Sequence, residues 1–278
     1  MNRWLQYFKE RFPLPTYFLL VSGIVSSGWG VSRAQFQLRA WLTAFIGTLL
    51  FFFLLRLMDE VKDLKKDLVA HPERPLPRGL LSFKEAMLGI YFGTGVMGGF
   101  SLVLLFSRYS AAGAFFAGIT LYLYLMFKEF FCDRWLNERP LIYASSHQAI
   151  MLPIVAFAAA VYPGSVLSWK VAYLGIMLLG AFFTYEICRK LDPAAHPVLR
   201  TYLQVYGRYQ AIGIVFGTTL IAAVGAYLMN LHFFLWPLEA MVLLSMARLK
   251  WYKVTETLAT LSLIAHIWAL PVNILVFS

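Results

Sequence analysis

Charged side chains are scarce in this sequence of 278 residues. Asp, Glu, Lys and Arg together make up 14% of it, whereas a typical soluble domain carries roughly 25%. Hydrophobic residues account for 60%, and the mean hydropathy is +0.68. This shortage of charge excludes an ordinary soluble protein and predicts an all-α polytopic membrane protein.

Cysteine is also nearly absent. Cys132 and Cys188 are the only two, and neither has a metal-binding partner at a useful spacing, which argues against a zinc centre. We expect no disulfide, since both residues fall on the predicted cytoplasmic side. The net charge of +10 does not indicate a nucleic-acid partner, because the basic residues are spread over the gaps between apolar segments.

Long apolar runs, by contrast, fill most of the chain. A membrane-spanning helix needs about 20 mostly apolar residues, and about nine segments qualify. They are approximately residues 15–32, 38–58, 84–106, 109–128, 141–162, 166–186, 209–229, 231–248 and 254–277. We expect a single domain over residues 1–278. Within it, residues 1–14 are expected to form an amphipathic helix at the membrane interface, with Trp4, Tyr7 and Phe8 towards lipid.

The basic residues orient this bundle. If the N-terminus is cytoplasmic, only Arg33, Arg39, Arg108 and Lys170 of the 24 Lys and Arg residues lie on the outer side. This asymmetry follows the positive-inside rule. We therefore predict an integral membrane protein, of a bacterial inner membrane, with its C-terminus outside.

One dense charged segment interrupts the apolar background. It reads DEVKDLKKDLVAHPERPLPRG, covers residues 59–79 and follows the second predicted span. Its acidic members are Asp59, Glu60, Asp63 and Asp67. On a helix these spacings bring the carboxylates to nearly one side, and a cluster of oxygen ligands without His or Cys suits Mg²⁺. Arg74 and Arg78 then suit phosphate oxygens. A solvated run of paired charges explains the pattern equally well.

A second cluster, TYEICRKLDPAAHP, covers residues 184–197 and follows the sixth predicted span. Glu186 is a candidate further metal ligand, and Arg189 and Lys190 are candidate phosphate ligands. The alternative is an ordinary helix end, where the helix dipole and the positive-inside rule both favour basic residues.

Together the two clusters resemble the signatures of the UbiA superfamily of intramembrane prenyltransferases. DExxDxxxD followed by RPLPRG is similar to that superfamily's first motif, usually NDxxDxxxD followed by RPLPxG. Asp59 stands at the Asn position, and Glu60, Asp63 and Asp67 stand at the three Asp positions. The second cluster lacks the DxxxD of many relatives and reads YEICRK.

The resemblance implies a UbiA-like helical bundle in which Mg²⁺ holds an isoprenyl diphosphate between the two motifs. The prenyl group would pass to an aromatic or other lipophilic acceptor. The implied metal ligands are Asp59, Glu60, Asp63, Asp67, Glu186 and Asp192. The implied diphosphate ligands are Arg74, Arg78, Tyr185, Arg189 and Lys190. The implied catalytic residues are Asp63, Asp67, Arg74 and Lys190.

Aromatic side chains in a water-poor cavity, such as those of Phe51, Phe52 and Phe53, would stabilise an allylic cation. Two other functions remain open from the sequence. A terpene cyclase on the same scaffold would need the same diphosphate site. A transporter or lipid-binding protein would not need the acidic motif, and its charges would lie at mid-membrane, where only a few polar residues such as Glu239 and His266 occur.

Overall fold

The computed structural model describes residues 3–162 and 168–277. Within these ranges the chain is helical and contains no strand. The helices are α1 (Arg3–Arg11), α2 (Leu14–Ser32), α3 (Leu38–Lys62), α4 (Leu64–Ala70), α5 (Phe83–Leu105), α6 (Ser110–Phe127), α7 (Asp133–Asn137), α8 (Pro140–Gln148), α9 (Met151–Ala160), α10 (Trp169–Cys188), α11 (Tyr202–Leu228), α12 (His232–Ser245) and α13 (Tyr252–Phe277). The predicted all-α polytopic bundle is confirmed.

Eight helical segments of the described chain are long and apolar enough to cross a membrane, with α8 and α9 acting as one. The remaining predicted span, residues 231–248, contains only the 14-residue helix α12, which has Pro237 inside it. At about 1.5 Å per residue this helix is about 21 Å long, against a hydrocarbon core of about 30 Å. The bundle thus has eight full-length candidate spans and one short helix.

Glycine allows the closest helix contact in the bundle, between α10 and α11. A Cβ atom added to Gly225 would lie 2.4 Å from the backbone of Met177, and one added to Gly180 would lie 2.2 Å from the backbone nitrogen of Ala222. Backbones that approach this closely leave room only for hydrogen. Van der Waals contact between small residues is a main source of stability between membrane helices, so this pair of glycines sets the separation of α10 from α11.

We expect Gly225→Ala to separate α10 from α11 and to lower the free energy of unfolding by about 2 kcal/mol, as overpacking does elsewhere. Gly217→Ala is the matched control, because it lies on the same helix and a Cβ there meets nothing within 4 Å. Thermal unfolding of the detergent-solubilised protein measures both variants. Equal melting temperatures for the two would show that the glycine contact does not set the packing.

The polar pair Glu239 and His266 joins α12 to α13 in the interior. His266 Nε2 lies 2.8 Å from Glu239 Oε1, and His266 Nδ1 lies 2.7 Å from the carbonyl oxygen of Ser262. Both side chains are buried. Each therefore has the hydrogen-bond partner that a polar group inside a bilayer needs, and the pair accounts for two of the intramembrane polar residues in the sequence.

Helix α1 packs on protein to a greater extent than its sequence pattern indicates. The Tyr7 side chain is completely buried, so the expectation that it faces lipid is wrong. The Phe8 ring stacks on the Phe53 ring of α3, with centroids 5.1 Å apart. An apolar helix face looks the same in sequence whether it meets lipid or protein. The placement of α1 at the membrane interface stays a prediction.

Candidate active site

The first acidic motif is divided between two helices. Asp59 and Glu60 lie in the last turn of α3, Asp63 lies at the junction, and Asp67 lies on α4. The Asp63 amide still donates to the Asp59 carbonyl oxygen at 2.9 Å, but α3 ends there. The four carboxylates are therefore not on one face of a single helix, and each has its own surroundings.

Glu60 faces α1. Its side chain is 1% exposed and forms an ion pair with Arg11 of α1. Arg56, one turn earlier on α3, also lies 3.5 Å from the same carboxylate oxygen. Neither arginine was among the site residues expected from the sequence. Arg11 lies 49 positions from Glu60, and no local pattern reveals that contact.

Asp67 is paired with the arginine that begins the RPLPRG tail. Arg74 Nη1 donates to both oxygens of Asp67, each at 2.7 Å, and the Asp67 side chain is 2% exposed. Arg78 instead pairs with Glu10 of α1 at 2.8 Å. Gly79 closes the turn at φ 76°, which an L side chain adopts only with strain. Both predicted phosphate-binding arginines therefore already hold a carboxylate.

Asp59 and Asp63 are the least neutralised members of the motif. The Asp59 side chain is 36% exposed, and its ion-pair partner, Lys62, is 3.9 Å away. The Asp63 carboxylate forms no ion pair or side-chain hydrogen bond with any described residue, and its charge acts on Asp59. These two carboxylates are the ones left free to bind an added cation.

Lys62, between the acidic positions, is enclosed by residues of two other helices, α6 and α8. Its Nζ atom lies 3.3 Å from His147 Nε2, 3.4 Å from the Met126 carbonyl oxygen and 5.4 Å from the centroid of the Tyr143 ring. The Lys62 side chain is only 9% exposed. His147 Nδ1 lies 2.8 Å from the Tyr143 carbonyl oxygen, which leaves Nε2 to accept from the ammonium group. A lysine inside an acidic motif was the available sequence signal for this residue.

The second cluster lies opposite the first. Glu186 accepts from Arg189 Nε at 2.6 Å and pairs with Lys190 Nζ at 2.5 Å. The charges of Glu186 and, more weakly, Asp59 raise the pKa of the Arg189 guanidinium, so the end of α10 is within electrostatic reach of the end of α3. Tyr185 lies beside Arg189 as well. The predicted proximity of the two motifs is present in the structure.

Asp192 lies beyond this contact. Its carboxylate accepts from the Ala194 amide at 2.8 Å and thus shapes the turn after α10. The facing groups, here called the polar cluster, are Asp59, Lys62, Asp63, Tyr143, His147, Tyr185, Glu186, Arg189 and Lys190. Charges on Asp59, Asp63 and Glu186 all act on Tyr143, which places it among them.

Aromatic rings cover the polar cluster on the bundle side. Phe52 precedes Asp59 by two helical turns, and Phe182 precedes Glu186 by one, so each ring lies on the same helix face as the carboxylate below it. The two rings stack with centroids 6.5 Å apart, and Tyr17 lies 6.1 Å from Phe52. The polar cluster is thus bordered by an aromatic layer, formed by Phe52, Phe182 and Tyr17, between α3 and α10.

The donor set at this site fits Mg²⁺ bound partly by substrate. Among residues 3–162 and 168–277, no group of three or more His, Cys, Asp or Glu side chains is placed to enclose a metal ion. Mg²⁺ commonly binds through one or two carboxylates, keeps waters and takes phosphate oxygens as further ligands. Asp59 and Asp63 meet that requirement, whereas a cage built only of protein ligands is not formed.

These features define a class of protein, a polytopic helical membrane protein whose second and sixth long spans bring an acidic and a basic cluster together. The model of the UbiA prenyltransferase family matches residues 19–272. The chain belongs to this family, and the resemblance seen in its two motifs is confirmed.

One similar solved structure is described by the words "Structural and mechanistic insights into the biosynthesis of Digeranylgeranylglyceryl phosphate synthase in membranes". It aligns with a TM-score of 0.63 over 96% of this chain and 99% of that chain, at 16% sequence identity. This likeness shows a shared fold. The search of curated proteins finds no match.

We expect Arg74→Ala to destabilise the protein by about 2 kcal/mol, because it leaves the buried Asp67 carboxylate without its partner. This loss of stability is smaller than that expected for a fully buried ion pair, because the Arg74 side chain is 26% exposed. Arg78→Ala is the control from the same tail. Loss of its partly exposed ion pair with Glu10 should lower the free energy of unfolding by less than about 1 kcal/mol. Thermal unfolding in detergent measures both, and a larger loss for Arg78→Ala would contradict this assignment.

Proposed function

We propose that the protein is a Mg²⁺-dependent prenyltransferase that ionises an isoprenyl diphosphate within the membrane. The prenyl group then passes to a lipophilic acceptor. Membership of the UbiA prenyltransferase family supports prenyl transfer. We place the reaction at the polar cluster, and the distribution of basic residues supports a cytoplasmic location for that end of the bundle.

The observation that carries this proposal is the meeting of unneutralised carboxylates with fixed cations at the polar cluster. Asp59 is within electrostatic reach of Arg189, which follows the end of α10, and the charge of Asp63 acts on Asp59. A diphosphate is multiply negative and would be repelled by bare carboxylates, so Asp59 and Asp63 would hold Mg²⁺, which would supply the positive charge that the diphosphate needs. When bound, Mg²⁺ stabilises the negative charge that develops on the diphosphate leaving group.

Side chains of the protein would bind the rest of the diphosphate. Arg189 and Lys190 both contact Glu186, and we assign them to the outer diphosphate oxygens. Lys62 is held by His147 and is thus a fixed cation close to Asp59. A cation that is already oriented stabilises developing charge without a reorganisation cost.

The other predicted ligands receive different assignments. Glu60, Asp67, Glu186 and Asp192 each have a protein partner already. We therefore assign metal binding to Asp59 and Asp63 and not to these four. The Asp67–Arg74 pair would act by fixing the RPLPRG turn. Arg78, which holds Glu10, would reach the diphosphate only by leaving that pair.

The aromatic layer suits the carbon half of the substrate. Cleavage of the C–O bond leaves an allylic cation, which water would capture if it could enter. Phe52, Phe182 and Tyr17 lie directly beyond the polar cluster, in apolar surroundings. Their ring faces attract a cation, and their bulk excludes water. The prenyl tail would extend from there into the bundle.

We expect Asp59→Asn and Asp63→Asn each to lower diphosphate release by about 100-fold or more, since each removes a charge that binds the metal. Glu138→Gln is the control, because Glu138 is an exposed carboxylate paired only with its neighbour Arg139. The assay incubates purified protein with isoprenyl diphosphates of three lengths and Mg²⁺, with and without lipophilic acceptors, and follows products by mass spectrometry. Wild-type rates in both Asp variants would refute the proposal, and cyclic product without acceptor would assign the protein as a terpene cyclase.

Replacement of Lys62 tests the fixed cation separately. We expect Lys62→Met to raise the KM for the isoprenyl diphosphate about tenfold or more, the value of one lost contact to a charged group. Lys65→Met is the matched control, because Lys65 is exposed on α4, three residues beyond the end of α3. An unchanged KM in Lys62→Met would mean that the contacts of Lys62 with α6 and α8 only hold the helices together.

A further inference from the structure

Helix α1 is tied to the segments that carry the first motif. Ion pairs join Arg3 to Glu85 at the start of α5, at 2.6 Å, and Glu10 to Arg78 in the RPLPRG tail, at 2.8 Å. A third pair joins Arg11 to Glu60. The nine residues of α1 therefore contact the end of α3, the following turn and the next long span.

The three pairs differ in burial. The Arg3 side chain is 60% exposed, so its pair is solvated and contributes little to stability. The Arg11 side chain is 16% exposed and that of Glu60 only 1%. A carboxylate enclosed to this degree cannot remain charged without a cation. Arg56 also lies 3.5 Å from this carboxylate, but it belongs to the same helix, so Arg11 is the contact that fixes Glu60 towards α1.

Apolar contacts hold α1 in the same place. Tyr7 is completely buried, and the Phe12 ring stacks on the Tyr17 ring with centroids 3.7 Å apart. Burial and, secondly, the Glu60 charge raise the pKa of the Tyr7 hydroxyl, so this carboxylate lies on the Tyr7 side of α3. Asp59 and Tyr185 act on Tyr17, which places α1 one aromatic ring away from the polar cluster.

Helix geometry connects this attachment to the site. Consecutive helical residues point about 100° apart. Glu60 is fixed towards α1, and its neighbour Asp59 is therefore directed to a different side, where Arg189 acts on it. Asp63 follows the end of α3, and its amide still donates to the Asp59 carbonyl oxygen at 2.9 Å, so the backbone of this last turn joins the two residues. A rotation of the last turn of α3 would move all three carboxylates together.

We propose that α1 is a positioning element of the active site, in which Arg11 holds Glu60 and so fixes the turn that presents Asp59 and Asp63. Glu60, although it stands at an acidic position of the motif, is a positioning residue and does not bind the metal. This inference rests on the proposed function, because it assigns a role to α1 in the same diphosphate site.

The test uses Arg11→Ala, Arg11→Lys and Glu60→Gln in the full-length protein, with Arg3→Ala as control from the other end of α1. Arg11→Met combined with Glu60→Gln removes both charges and provides a variant that leaves no unpaired buried carboxylate. The readouts are kcat, the KM for the isoprenyl diphosphate, and Mn²⁺ binding in the presence of inorganic pyrophosphate, followed by electron paramagnetic resonance.

We expect Arg11→Ala and Glu60→Gln each to lower kcat about tenfold or more, with a smaller change in KM, because misplaced ligands slow the chemical step. The double variant should be no worse than the poorer single one. Arg11→Lys should recover most activity, and Arg3→Ala should match the wild type. Glu60→Gln should bind Mn²⁺ within about threefold of the wild type, whereas Asp63→Asn should lose binding.

Two results would overturn the inference. Loss of Mn²⁺ binding in Glu60→Gln together with wild-type behaviour of Arg11→Ala would make Glu60 a direct ligand. Equal activity of Arg11→Ala and Arg3→Ala would make α1 a passive part of the fold. If instead Asp63→Asn keeps both turnover and Mn²⁺ binding, the proposed function fails, and hydrogen exchange over residues 58–64 in Arg11→Ala and Arg3→Ala decides the positioning role by itself.

Discussion

Every buried carboxylate in an apolar bundle needs a cation or a hydrogen-bond donor, and this requirement determines the site. Glu60 takes Arg11, Asp67 takes Arg74, and Glu186 takes Arg189 and Lys190. Of the four acidic residues of the first motif, Asp59 and Asp63 have the least compensation from the residues that the structure describes. The Arg and Lys side chains of the protein thus determine which acidic residues can bind a metal ion. A carboxylate that is already neutralised by one of them gains little from a metal.

Much of this arrangement could be predicted from the sequence. Eight of the nine predicted spans follow from apolar runs alone, because a bilayer requires about 20 such residues per helix, and the ninth run contains only the short helix α12. The segment at residues 59–79 stands out because charge is expensive in such a chain. Its RPLPRG tail resembles a family motif, and the match over residues 19–272 confirms that family. The order of the spans also predicts that Glu186 and its basic neighbours lie at the same end of the bundle, and the family resemblance implies that they face the first motif.

The finer geometry could not be predicted, for physical reasons that differ between residues. Helical spacing placed Glu60 with Asp63 and Asp67, but α3 ends at Lys62 and separates them. Tyr7 was expected to face lipid because an amphipathic pattern records polarity and not the identity of the apolar neighbour. The partners of Glu60 and Lys62 lie on other helices, and long-range contacts of this kind leave no periodic signal in a single sequence.

The short helix α12 has a consequence for the surrounding lipid. It provides about two thirds of the length that the hydrocarbon core requires, at about 1.5 Å per residue. A helix this short is accommodated by local thinning of the bilayer, by flanking side chains that reach the interface or by association with other proteins, at a modest cost for each ångström of mismatch. The protein is therefore asymmetric around its circumference, with one side matched to a thinner membrane than the rest. Such a side favours lateral partition into thin regions of bilayer and association with partners that are equally short.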